Sequence, residues 1–103
     1  MASKRELKKD VDSLIFEIVS ESYSFIDIYP KDDHTKAEEI IDNAMELQDE
    51  TITSINNADK SLSAKETRKY FNELKTEFIQ KVEALFKELD KLFEEQDKQD
   101  KAE

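Results

Sequence analysis

The chain has 103 residues, with no Gly, one Pro, no Cys and no Trp, and its formal net charge is −10. Without Gly there is no dinucleotide fingerprint and no phosphate-cradling P-loop, because both need backbone to approach phosphate with no Cβ in the way. Without Cys there are no disulfides, thiolate metal sites or cysteine nucleophiles. The acidic balance argues against nucleic-acid and anionic-membrane binding, since both draw on Lys and Arg.

The length is that of a single domain. Charged residues make up 41% of the chain, but the 37% that are apolar recur with a helical period, which separates it from a disordered polymer. No run approaches the ~18 consecutive apolar residues of a membrane helix. Basic residues open the chain, yet Asp10, Asp12 and Glu17 interrupt any signal-peptide core. The expected location is cytoplasmic.

Three capping-box patterns, Ser or Thr followed three residues later by Glu, stand at Ser3/Glu6, Thr35/Glu38 and Ser63/Glu66. Each precedes a stretch of helical periodicity. Helix one is expected from Lys4 to Asp27, with Leu7, Val11, Leu14, Ile15, Ile18, Val19, Phe25 and Ile26 on one stripe. Ser22 fills a gap in that stripe and is expected to bond back to a backbone carbonyl. Pro30 ends the helix. Helix two is expected from Lys36 to Asn57, through Ala37, Ile40, Ile41, Ala44, Met45, Gln48, Ile52 and Ile55. Asn56 and Asn57 suit a left-handed cap where Gly is lacking. Helix three is expected from Ala64 to about residue 97, with Phe71, Leu74, Phe78, Val82, Leu85, Leu89 and Leu92 three and four apart. Residues 99–103 read as a frayed tail. Short connections make sequential helices antiparallel, so the fold class is all-α: an up-down-up three-helix bundle with a longer third helix.

Helices one and two would each span about 35 Å, and helix three close to 50 Å. If helix three starts level with the end of helix two, its last turns pass beyond the bundle. They carry Leu89, Leu92 and Phe93. Two readings follow: either Ile28, Tyr29 and Pro30 fold over these residues, or the residues form an interface with a second copy or a different protein.

Helix two carries the chain's densest acidic run. The stretches EEIID and ELQD, containing Glu39, Asp42, Glu46 and Asp49, resemble the EExxE and ExxD magnesium motifs of all-α nucleotide pyrophosphohydrolases. In that family the two motifs lie on different helices and converge. Here both fall on one helix, within about 80° of arc and opposite the apolar stripe, so the carboxylates read as a water-facing surface. Residues 35–58 hold six acids against Lys36 alone, a net −5 that can steer a basic partner.

Other chemistry is thin. His34, the one histidine, is placed in a loop beside Asp32 and Asp33 and expected to interact with one of them. The serines and threonines lack a neighbouring base to activate them. Phe16, Phe25, Tyr70, Phe71, Phe78, Phe86 and Phe93 read as core aromatics, and Tyr23, Tyr29 and Tyr70 as core-edge residues with wet hydroxyls. Lys4, Arg5, Lys8 and Lys9 form the one basic cluster. The expectation is a non-catalytic helical protein-interaction module without cofactor, self-associating through helix three or binding a protein partner, with a basic one suited to the acidic helix. The alternative is a divalent-metal-dependent phosphohydrolase using the helix-two carboxylates.

Overall fold

A computed structural model describes the backbone of residues 4–102 and the side chains of residues 4–97. It holds three α-helices and, among the described residues, no strand: α1 (Lys4–Ile28), α2 (Thr35–Asn56) and α3 (Ala64–Ala102). They pack on one another as an all-α three-helix bundle whose third helix is the longest. The 39 residues of α3 set the long dimension of the molecule, 61 Å, and the other two are 17 and 16 Å. The helix continues through residues 99–102, where a frayed tail was expected.

The core follows the periodicity. From α1 come Leu7, Val11, Ile15, Ile18 and Phe25, and from α3 come Phe78, Val82, Leu85 and Leu89, all buried. Ser22 is fully buried among them, and its Oγ donates to the Ile18 carbonyl at 2.8 Å, as expected for a hydroxyl on an apolar stripe. The buried face of α2 keeps Ala37, Ile40, Ala44 and Ile55 as expected and is rotated toward Leu47 and Thr51, which the expected stripe left out, whereas Met45 is 46% exposed. The apolar arc of α2 is wide. At 100° per residue it reaches about 160° from Leu47 round to Met45, more than two neighbouring helices cover.

The helix starts show which caps win. Ser63 and Glu66 form the reciprocal box: the Glu66 N–H donates to Ser63 Oγ at 3.2 Å, and the Ser63 N–H to Glu66 Oε1 at 3.4 Å. Thr35 does not cap Glu38. Its N–H and its hydroxyl both donate to Asp33 Oδ1, at 2.9 and 2.6 Å, so the charged acceptor takes the hydroxyl and the helix begins one residue early. Asp59 and Ser61 repeat this turn in the second connection. Ser3 lies outside the described residues, and with it the first box. Asn57 closes α2 through its N–H on the Thr53 carbonyl at φ −95°, not in the left-handed region. No described residue has positive φ, so this glycine-free chain connects its helices without that conformation.

The register of α3 overturns the expected overhang. Tyr70 donates to the Ser54 carbonyl at 2.9 Å, so Tyr70 lies level with the last turn of α2 and residues 64–69 pass below it. The connection after Asn57 runs down alongside those turns, with Ala58 buried. The α3 helix is thus shifted by nearly two turns from the expected alignment, and its overhang is divided between residues 64–69 at one end and the turn after Asp97 at the other. At the other end Phe93 meets Phe25 edge-on, ring centroids 5.3 Å apart. Leu89 is fully buried, and Leu92 and Phe93 are half-buried. Of the covering residues Tyr29 does the work: its ring lies 5.1 Å from Phe25 and its hydroxyl donates to Asp97. Ile28 and Pro30 are exposed.

Truncating Leu89→Ala should lower stability by about 2–5 kcal/mol, because it leaves a cavity in a packed core. Tyr29→Phe should lower it by about 1 kcal/mol through loss of the Asp97 bond. Urea unfolding followed by circular dichroism measures both; a Leu89→Ala cost below about 1 kcal/mol would contradict this register.

Candidate functional site

The acidic residues of α2 do not converge. Glu39 faces α3 and lines a shallow groove with Lys36 and Lys91. Asp42, Glu46 and Asp49 are exposed on the outer surface. Glu39 and Asp49 stand ten residues apart, about 15 Å along the helix. Among the described residues, no three His, Asp or Glu side chains gather as a metal site would require. His34 is held away from chemistry: its Nε2 lies 2.8 Å from the Tyr29 carbonyl. That carbonyl also accepts from the Asp32 N–H at 3.2 Å. The ring therefore fastens the first connection to Tyr29, where bonding to Asp32 or Asp33 was expected.

The feature that stands out is apolar and exposed. Phe16, expected in the core, is 73% exposed, and Tyr23, two turns further along the same face of α1, is 54% exposed. Phe16 sits across an open groove from Met45, with Ile15 and Val19 at its floor and a volume of about 560 Å³. Asp12 and Gln48 close one end, where the Gln48 Nε2 donates to Asp12 Oδ1 at 2.8 Å and fixes α1 against α2. The sequence signal for this groove was present: Phe16 lies beside Ile15, off the 3–4 steps that lead through Val11, Ile15 and Ile18.

The groove's α2 edge is acidic. Glu38, Asp42 and Asp49 stand at −7, −3 and +4 from Met45, offsets that share one helical face, and all three are exposed. A second acidic seam runs between α1 and α3, where Glu21, Asp90, Glu94 and Asp97 line a shallow depression with Phe93. Partial burial, with the nearby carboxylates of Glu17 and Asp90, raises the pKa of Glu21 above its ordinary value. The connection residues Asp33 and Asp59 move the other way. Hydrogen bonds from Thr35 and Ser61 hold their carboxyls below the ordinary value.

No known protein family, curated protein or solved structure matches this chain. No helix among the described residues is long and apolar enough to cross a membrane.

The sign of the Glu21 shift gives a pH test. A pKa raised by folding means that the protonated form is favoured in the folded state. That contribution is present below the unfolded-state pKa and lost as pH rises through the folded-state pKa. Glu21→Gln should therefore raise stability at pH 7 by about 0.5 kcal/mol after solvent screening. The gain should fade as the pH falls through the raised folded-state pKa and be gone below the ordinary 4.5. Thermal melts of both proteins across that range measure it; a gain that grows on acidification would contradict the assignment.

Proposed function

We propose that the chain is a non-catalytic helical protein-interaction module that works through the α1–α2 groove. The single observation that carries this reading is Phe16, an aromatic side chain 73% exposed in the middle of a well-packed helix, facing Met45. Contiguous exposed apolar surface marks contact sites. Phe and Met are also enriched at interface centres, where Met adapts to irregular partners. Self-association through α3 has less support, because Leu89, Leu92 and Phe93 are occupied by packing within the chain. The groove offers the interaction surface that α3 does not.

Two measurements test the reading. If the patch serves contact and not folding, Phe16→Ser combined with Met45→Ser should change stability by less than about 1 kcal/mol. A larger loss would make the patch part of the core. A photoreactive amino acid at position 16, in the cell that makes the protein, should give a discrete protein adduct. The same group at exposed Lys87 on α3 should not. No adduct from position 16, or equal labelling from both positions, would sink the proposal.

A further inference from the structure

We propose that the occupant of the α1–α2 groove is a basic amphipathic helix, laid along it as a fourth helix of the bundle. This inference rests on the reading of that groove as the interaction face. The apolar part of the site runs parallel to the helices: Phe16 and Val19 line it on α1 with Met45 opposite, and exposed Tyr23 follows four residues further along α1. A ridge of side chains at steps of three and four fills such a groove when it comes from another helix, presenting anchors at i, i+3 or i+4, and i+7. From Asp12 to Val19 the groove runs about 10 Å, some two turns, and exposed Tyr23 extends the same face of α1 by one turn more.

Charge selects among helices. The α2 edge beside Met45 carries Glu38, Asp42 and Asp49, with no basic residue at the same offsets between them. On the α1 edge Asp12 is tied to Gln48, Asp27 stands beyond Tyr23, and the positive charges Arg5, Lys8 and Lys9 stand in the first turns of the helix, below the groove. A helix that buried its apolar face here would set its flanks against acidic side chains along the α2 edge. Lys and Arg on the α2-facing flank complement that edge; Asp and Glu would be repelled. The same edge disfavours a second copy. Two chains of charge −10 would bring acidic borders together.

The test uses the full chain and two synthetic 18-residue amphipathic helices that share one Leu-rich face, one with Lys on its polar face and the other with Glu. Binding is read by fluorescence anisotropy, and the site by amide chemical-shift changes. The Lys helix should bind with Kd in the tens of micromolar and weaken several-fold when salt rises from 50 to 300 mM, as expected of partly exposed charge pairs. Shifts should concentrate in residues 12–23 and 38–52. Phe16→Ser with Met45→Ser should weaken binding at least tenfold. Asp42→Asn with Asp49→Asn should weaken it about three- to tenfold while leaving the fold unchanged. Equal binding of the Glu helix, or unchanged binding by both double variants, would overturn the proposal. So would a dimer in light scattering that Phe16→Ser dissociates, since the groove's occupant would then be a second copy. If neither helix binds but position 16 still gives its adduct in cells, the groove is an interface for a partner of other chemistry and this inference alone fails. If the adduct is absent as well, both readings fail.

Discussion

The placement of every other contact depends on the junction of Phe25, Tyr29 and Phe93. Three aromatic rings meet there within 5.1 to 6.4 Å of one another, and the Tyr29 hydroxyl reaches Asp97. Aromatic side chains bury the largest apolar areas per residue and prefer tilted and edge-on geometries, so such a cluster favours one register over its neighbours. With Phe93 level with Phe25, Leu89 falls opposite the buried end of α1. The start of α3 is then carried below the end of α2, and the second connection has to run down beside it. The first connection is organised from the same residue. The Tyr29 carbonyl accepts from the Asp32 amide and lies within hydrogen-bond reach of the His34 ring, so the six residues between α1 and α2 turn without glycine.

The groove follows from how α2 is shared. Ala37 and Ala44 are fully buried and small, which lets α1 approach α2 closely. The Leu47 and Thr51 side of α2 turns toward Phe78 of α3. Two neighbours then cover the arc from Leu47 to Ile55, and the remaining apolar sector, ending at Met45, has no third helix to meet. Phe16 is the matching excess on α1. A four-helix bundle closes that sector with its fourth member; a three-helix bundle leaves it open.

Fold class, helix number and the α1 and α3 stripes were legible in the sequence, because long periodic segments with breakers between them leave few alternatives. The Ser63/Glu66 box and the Ser22 back-bond were legible for the same local reasons. What was not legible lay between helices. The slide of α3 depends on how the residues after Asn57 run, and composition alone does not say whether a seven-residue connection turns tightly or descends along the next helix. That one unknown moved Leu89, Leu92 and Phe93 from an expected overhang into the bundle. One edge of the α2 face was misassigned for a related reason. Met45 fits a helical stripe as well as Leu47 and Thr51 do, and which edge of the stripe is buried depends on where the neighbours sit; Ile52, between them, is half-buried against the core. Thr35 lost its capping role to Asp33, a competitor two residues upstream that a motif starting at Thr35 leaves out.

The charge of the chain and the groove bear on each other. Burying Phe16 and Met45 fully supplies roughly 3–6 kcal/mol of transfer free energy, before the loss of translational and rotational freedom is subtracted. A micromolar complex needs about 8 kcal/mol net. The apolar patch therefore falls short of holding a partner alone, and the difference has to come from groups around it. Those groups are Tyr23 along α1 and the acidic edge formed by Glu38, Asp42 and Asp49. An exposed Phe beside an exposed Met would be an aggregation hazard on a neutral surface. At −10 the like charge of each copy opposes that contact. The carboxylates beside Met45 would then act twice, keeping the patch from its own copies and favouring a helix of opposite charge. Specificity of that kind comes from repulsion of the wrong partner as much as from attraction of the right one.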